Sequence, residues 1–174
     1  MLDLLNSIFA WITNLVPRLV VIRTTHAAVA FVRGKHLVYL GPGLHVYWPL
    51  WTELHLYPTC LQTVNLTEQT LVTDDGKTVA VNGVVCYEIH DLMQLLSKVW
   101  DPERAIADVC LAGVKRVVCQ RRLDELLDDH TRIDGMLTRK LRSHLEKYGI
   151  TVVQATLSDI APCRVFKFWG LLRG

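Results

Sequence analysis

Surplus charge is almost missing from this 174-residue chain: 19 Lys+Arg stand against 17 Asp+Glu, a formal net charge of +2. Without a global positive field to gather phosphates, a basic nucleic-acid binder is excluded as the first reading. Paired cysteines are missing too. Cys60, Cys86, Cys110, Cys119 and Cys163 are odd in number and contain no CxxC. Neither a disulfide framework nor a zinc site with closely spaced ligand pairs is written in them. They read as small buried hydrophobes of a reducing compartment. The seven scattered histidines form no HExxH, and no GxSxG, P-loop or dinucleotide fingerprint occurs. Gly41-Pro42-Gly43 lacks the helix-opening context that a phosphate cradle needs. Adjacent Asp74 and Asp75 sit before a glycine, where carboxylates serve turns. Cys86 and His90 share a strand face only if the strand runs past Asp91, which reads instead as a helix cap. No catalytic residue, metal ligand or cofactor is expected.

Apolar residues, by contrast, are plentiful. They make up 51% of the chain, with 21% charged and a mean hydropathy of +0.24. Such a composition excludes a disordered chain and leaves more apolar surface than one soluble domain of this length needs. The densest stretch is 1–22, MLDLLNSIFAWITNLVPRLVVI. Asp3, Asn6, Ser7, Thr13, Asn14, Pro17 and Arg18 interrupt it, whereas a membrane span needs about 20 mostly apolar residues. Asp3 also has the wrong sign for the basic start of a secretory signal.

On a helical wheel, residues 1–16 divide cleanly. Met1, Leu2, Leu4, Leu5, Ile8, Phe9, Trp11, Ile12, Leu15 and Val16 fill one half; Asp3, Asn6, Ser7, Ala10, Thr13 and Asn14 fill the other. Pro17 stops the helix. Two placements fit an amphipathic helix of this kind. It lies in a membrane interface, attached by Leu4, Leu5, Ile8, Phe9, Trp11, Ile12 and Leu15, or it clasps its own core or a neighbouring subunit.

From residue 27 the period changes to two. AAVAFVR and HLVYL form a hairpin across a Gly34-Lys35 turn. Residues 60–66 and 68–73 read as two short strands, and Asp74-Asp75-Gly76-Lys77 as the turn into TVAVNGVVCYEI. In that strand Val79, Val81, Gly83, Val85, Tyr87 and Ile89 share the face that packs on a core. Asp91 caps a helix over LMQLLSKV, and Asp101-Pro102-Glu103 starts another. Its inward stripe is Ile106, Val109, Cys110, Gly113, Val114 and Val117. A later helix carries Ile133, Leu137, Leu141, Leu145 and Tyr148 inward before Gly149 ends it. Residues 150–157 return as a strand. The order gives an α+β fold, an antiparallel sheet packed against helices and preceded by the amphipathic helix.

Surface groups leave alternatives open. Lys115, Arg116, Arg121 and Arg122 are either a solvated face paired with nearby acids or a subunit or lipid contact. Arg139, Lys140 and Arg142 read the same way. Tyr47, Trp48, Trp51 and Tyr57 either pack beneath the sheet or form an interfacial belt, with Trp48 and Trp51 entering the bilayer boundary. Phe166, Phe168, Trp169, Leu171 and Leu172 make an apolar tail suited to docking on a neighbour.

Four stretches together resemble the SPFH or band 7 domain, the family of stomatins, prohibitins and flotillins. They are VAFVRGKHLVYLGPGLHVYWPLW, VNLTEQTLVTDDGKTVAVNGVVCYEIHD, DPERAIADVCLAGVKRVVCQRRLDELLDD and YGITVVQATLSDIAP, in family order over about residues 20–162. The resemblance implies a non-enzymatic domain on a membrane surface, on its cytoplasmic face, that assembles side by side with its own copies. It also implies organisation of lipid or of membrane-protein partners such as proteases and channels. The chain then divides into a helix over 1–22, the domain over 23–162 and a short tail over 163–174. Most members continue into a coiled coil, but the tail has no heptads. Assembly is therefore expected through domain edges, the helix, the basic residues Arg116, Arg121 and Arg122, and Phe166, Phe168 and Trp169. The alternatives are a soluble structural subunit of a large assembly and a regulatory subunit of a membrane protease.

Overall fold

The computed structural model describes residues 16–163. Residues 1–15 of the amphipathic segment expected over 1–22, and the tail residues Phe166, Phe168 and Trp169, lie outside the described residues, whereas Arg18–Ile22 at the end of that segment is a strand and not helix.

Three antiparallel sheets carry the strands. A two-stranded ribbon pairs β1 (Arg18–Ile22) with β4 (Gly43–Tyr47). A second sheet has the order β3 (His36–Leu40), β2 (His26–Val32), β5 (Thr52–Pro58). The third, which holds the core, has the order β6 (Gln62–Val72), β7 (Thr78–Ile89), β8 (Ile150–Pro162). Between β7 and β8 come four helices: α1 (Leu92–Lys98), α2 (Pro102–Val118), α3 (Leu123–Asp128) and α4 (His130–Leu145). A single 3-10 turn, Glu146–Tyr148, then leads to Gly149. This is the α+β arrangement that the pattern of residues implies.

The alternation of β7 decides where the core lies. Val79, Val81, Val85, Tyr87 and Ile89 are all buried on the expected face, and the α2 and α4 stripes cover them. Ile133, Leu137, Leu141 and Leu145 are each at most 3% exposed. Burying such side chains stabilises by about 1.5–3 kcal/mol apiece, an upper bound for a chain already partly collapsed. Packing therefore holds α4 in place despite Thr131 and Gly135, both poor helix formers. Helix starts follow the expected caps: the Asp91 and Asp101 carboxylates accept from the backbone N–H groups of Gln94 and Arg104. At the other end of α4, Gly149 takes φ +78°. Its carbonyl accepts from the N–H groups of His90 and Asp91, which ties the end of β7 to the start of β8.

Two local expectations are corrected. Residues 60–66 and 68–73 are one strand, β6, kinked where the register slips between Leu66 and Gln69. A bulge places two residues opposite one, which mimics a strand break in sequence. The first hairpin turns at Arg33-Gly34 rather than Gly34-Lys35. Both residues have positive φ (52° and 66°) and the Lys35 N–H bonds the Val32 carbonyl, a type I′ turn matched to strand twist. The closing strand also runs five residues past its expected end, to Pro162.

The exposed edge of β8 is sealed by α4. Asp134, Thr138 and Arg142 recur every four residues, one position after the apolar stripe. The Leu157 N–H donates to Asp134 Oδ1 at 3.0 Å. The Thr138 hydroxyl accepts from the Ala155 N–H at 2.9 Å and donates to the Ala155 carbonyl at 3.2 Å. Arg142 donates to the carbonyls of Val152 and Val153. Side chains thus take the place of a further strand. One member of the expected basic cluster, Arg142, has this structural task.

Candidate functional site

The β1–β4 ribbon has two unlike faces. Register opposes Leu19 to Val46 and Val21 to Leu44. These four side chains are 60–69% exposed and form one wholly apolar outer face. On the inner face Ile22 is buried and Val20 half-buried, while His45 Nε2 bonds the Gly41 carbonyl at 2.8 Å. Contiguous apolar surface of this kind marks a contact with lipid or protein.

The ribbon leads into the aromatic loop between β4 and β5. Arg18 pairs with Tyr47, and Trp48 follows directly. The Thr52 N–H bonds the Trp48 carbonyl at 3.0 Å. Beside this loop lies the Arg33-Gly34 turn. The Arg33 N–H donates to the Trp51 carbonyl at 2.7 Å, and its guanidinium stands 6.0 Å from the Trp51 ring centroid. Trp48 and Trp51 are 46% and 47% exposed and Leu50 is also exposed, so the loop is surface and not core. Of the aromatic group, Tyr57 is the member that packs against the core. Apolar strands, two indoles and the cations Arg18, Arg33 and Lys35 thus share one region. Val16 and Pro17 enter this region directly before Arg18.

A second surface surrounds Trp100, which is 99% exposed at the corner between α1 and α2. Clefts of about 390 and 560 Å³ open on either side of it. Val99, Ala105, Val109 and Tyr148 line the first; Phe31, His55, Tyr57 and Leu96 line the second.

The remaining candidates are spread apart. Arg121 is engaged within the domain, donating to Glu125 and towards the Met136 sulfur, and its carbonyl accepts from the Asp74 N–H. Arg116 and Arg122 are exposed. Asp75, from the doubtful carboxylate pair, is a structural hub. The Thr73 hydroxyl holds its carboxyl well below the usual carboxylate range, and Lys77 and the Leu123 N–H add to the effect against partial desolvation. Burial pushes the Cys110 thiol up to about 12, which removes it as a nucleophile at neutral pH. Cys86 Sγ lies 3.9 Å from the Thr63 hydroxyl, and His90 bonds Thr151, so no contact joins the two. Among the described residues, no group of three His, Cys, Asp or Glu could hold a metal ion. None of the described helices is long and apolar enough to cross a membrane.

Sequence reasoning named Trp48 and Trp51 but missed Leu19, Val21, Leu44, Val46 and Trp100. The alternation in RLVVI and GLHVY was available as a signal. That the two alternating sets meet on one outer face is visible only in the β1–β4 pairing.

The described chain is thus an α+β domain with exposed apolar and aromatic groups on its surface, whose perturbed titratable groups serve the fold. The chain belongs to the SPFH domain / Band 7 family, whose family model matches residues 20–167. It is 24% identical to a stomatin homolog of Pyrococcus horikoshii over 140 residues, 80% of this chain and 53% of that protein. A protein of Archaeoglobus fulgidus is 25% identical over 140 residues, covering 80% of this chain and 56% of its own length. The human mitochondrial stomatin-like protein 2 is 24% identical over 134 residues, 76% of this chain and 38% of that protein. The chain thus spans about half the length of the first two relatives and less of the third. Stomatin-like proteins are generally membrane-associated, oligomerising scaffolds and generally not enzymes.

Proposed function

We propose that this chain is a non-enzymatic scaffold that attaches to the cytoplasmic face of a membrane and assembles laterally with its own copies. In this reading residues 1–22 and the Trp48–Trp51 loop form the attachment, 23–162 the domain, and 163–174 a docking tail. The observation that carries it is the convergence of exposed Trp48 and Trp51, the apolar ribbon face and flanking cations at the junction with the amphipathic segment. Indoles suit the headgroup boundary, and Arg18, Arg33 and Lys35 suit anionic headgroups.

Vesicle flotation tests attachment. Ile8→Glu with Ile12→Glu should release the chain from vesicles containing phosphatidylglycerol while its circular dichroism spectrum is retained. Trp48→Ala with Trp51→Ala should weaken binding several-fold. Flotation unchanged in both variants would sink the membrane reading.

Exposed Trp100 and its paired clefts favour a protein contact as well, because tryptophan anchors interfaces out of proportion to its frequency. Copies of this chain are the proposed partner, with Arg116, Arg122, Phe166, Phe168 and Trp169 contributing and Arg121 supporting α3 from within. Mass measurement with and without lipid separates a lipid-dependent scaffold from a lipid-independent soluble assembly. Lipid-independent oligomers with no flotation would instead support the structural-subunit alternative.

A further inference from the structure

We infer that Trp100 of one copy enters the cleft beside the α1–α2 corner of a second copy, whose own Trp100 enters the first in exchange. The inference rests on the reading of copies as partners of this surface. It adds the occupant of the cleft and the symmetry of the contact.

Trp100 is held as a rigid knob. It is the single residue between the caps that end α1 and start α2. On one side the Val99 N–H bonds the Leu95 carbonyl at 2.9 Å. On the other the Asp101 carboxylate accepts from the Arg104 N–H, and Pro102 fixes the first turn. A backbone pinned on both sides presents the indole with little further loss of freedom on binding. At 99% exposure, nearly all of that indole stays in water in a single chain.

The hole adjoins the knob. The cleft of about 390 Å³ has apolar walls, Val99, Ala105, Val109 and Tyr148 among them, and Trp100 itself lines it. Its size is at the low end of the roughly 300–1,000 Å³ of small-molecule sites, which suits one large side chain. An indole arriving from a second copy meets the resident indole there, and such pairs favour offset or edge-to-face packing. Adjacency also decides the symmetry. Filling one cleft brings the partner's cleft against the resident knob, so a two-fold operation fills both at once.

Charge on the cleft lining is self-complementary. Lys98 and Arg104 alternate in sequence with Asp101 and Asp108. Among the described residues none of these four makes an ion pair. Two cations and two acids leave the lining neutral, so a copy of the same surface can meet it cation to acid. Two large aromatics with equal areas of wall cover about 600–1,000 Å², whereas stable interfaces bury about 1,200–2,000 Å². The exchange is therefore a weak contact that gains strength where copies are held together by another attachment.

Sedimentation equilibrium of the full chain tests this, with circular dichroism to show that each variant is folded. Trp100→Ala should raise the dissociation constant at least thirtyfold, the scale of a tryptophan hot spot. Ala105→Glu, which blocks the cleft, should do the same, and the two together should lose no more than either alone. Additive losses would place knob and cleft in separate contacts and overturn the inference. Mixing the two single variants should give a mixed pair of intermediate strength, because one knob and one cleft remain. A mixed pair as strong as the parent's would mean a head-to-tail contact and overturn the exchange. Arg104→Glu should weaken pairing, and adding Asp108→Lys should recover most of the loss; no recovery would refute the charge match. Self-association unchanged in Trp100→Ala and Ala105→Glu would defeat the inference and leave copies as partners through other surfaces. A parent chain that stays monomeric at every concentration, with and without lipid, would remove both.

Discussion

Thr138→Val isolates the seal on the β8 edge. Valine keeps the branched shape and removes only the hydroxyl that serves both backbone groups of Ala155. Ala155 is 0% exposed, so its N–H and C=O lose their partner where water has little access. A buried polar group left unpaired costs about 1–3 kcal/mol. Two groups, partly relieved by water along the edge, give a loss of about 2–4 kcal/mol. For a chain of this size that lowers the melting temperature by roughly 6–12 °C, at roughly 3 °C per kcal/mol. Thermal melts followed by circular dichroism measure the shift, and amide exchange at Ala155 should accelerate with it. Thr138→Ser keeps the hydroxyl and should lose less than half as much. A Thr138→Val melt within 2 °C of the parent, or Ser and Val equally harmful, would refute the argument that the hydroxyl closes the edge.

Gly83→Ala should destabilise by about 1–3 kcal/mol through overpacking. The added methyl would stand 2.8 Å from the Thr156 carbonyl oxygen on β8, and backbone cannot step aside as a flexible side chain can; denaturant melts would show it. Asp75→Asn should flatten the acid side of the stability profile. With the Asp75 pKa lowered in the folded state, its contribution is complete above the unfolded value of about 4, and it fades as pH falls towards the lower folded value. Urea melts at pH 3 and pH 7 should therefore differ less in the variant than in the parent. In the folded protein, a thiol reagent should modify exposed Cys60 first and buried Cys110 only after denaturant is added. Equal reactivity would contradict the packing of α2. Trp100→Ala should shift melting by under 2 °C, because an exposed side chain away from structural features contributes within about 0.5 kcal/mol. A larger drop would show that Trp100 packs within its own chain.

Periodicity exposed the helical layer and the core because burial there repeats a regular pattern. Ile133, Leu137, Leu141 and Leu145 declare α4, and the alternation from Val79 to Ile89 declares β7. Cap residues fixed the starts, since Asp91 and Asp101 each bond the third residue onward. What stayed hidden depends on long-range register. The β6 bulge interrupts alternation locally and so looks like two strands. The Asp134, Thr138, Arg142 series looks like a solvated helix face until β8 is laid beside it. The ribbon face is likewise the product of pairing between residues some 25 positions apart. Trp100 has no sequence signature at all, because exposure is a property of its surroundings.

The direction in which α2 and β7 run has a mechanical consequence. Residue Cys163 leaves the domain beside Thr78, whose carbonyl accepts the Cys163 N–H at 2.8 Å. Trp100 and the Glu53 end of β5 share a cleft at the opposite end of α2. With 17 residues, that helix alone sets the two ends roughly 25 Å apart at 1.5 Å per residue. The described domain thus keeps these two ends apart as a strut does. The Trp48–Trp51 loop, which runs directly into Glu53, lies at one end, and Cys163 lies at the other.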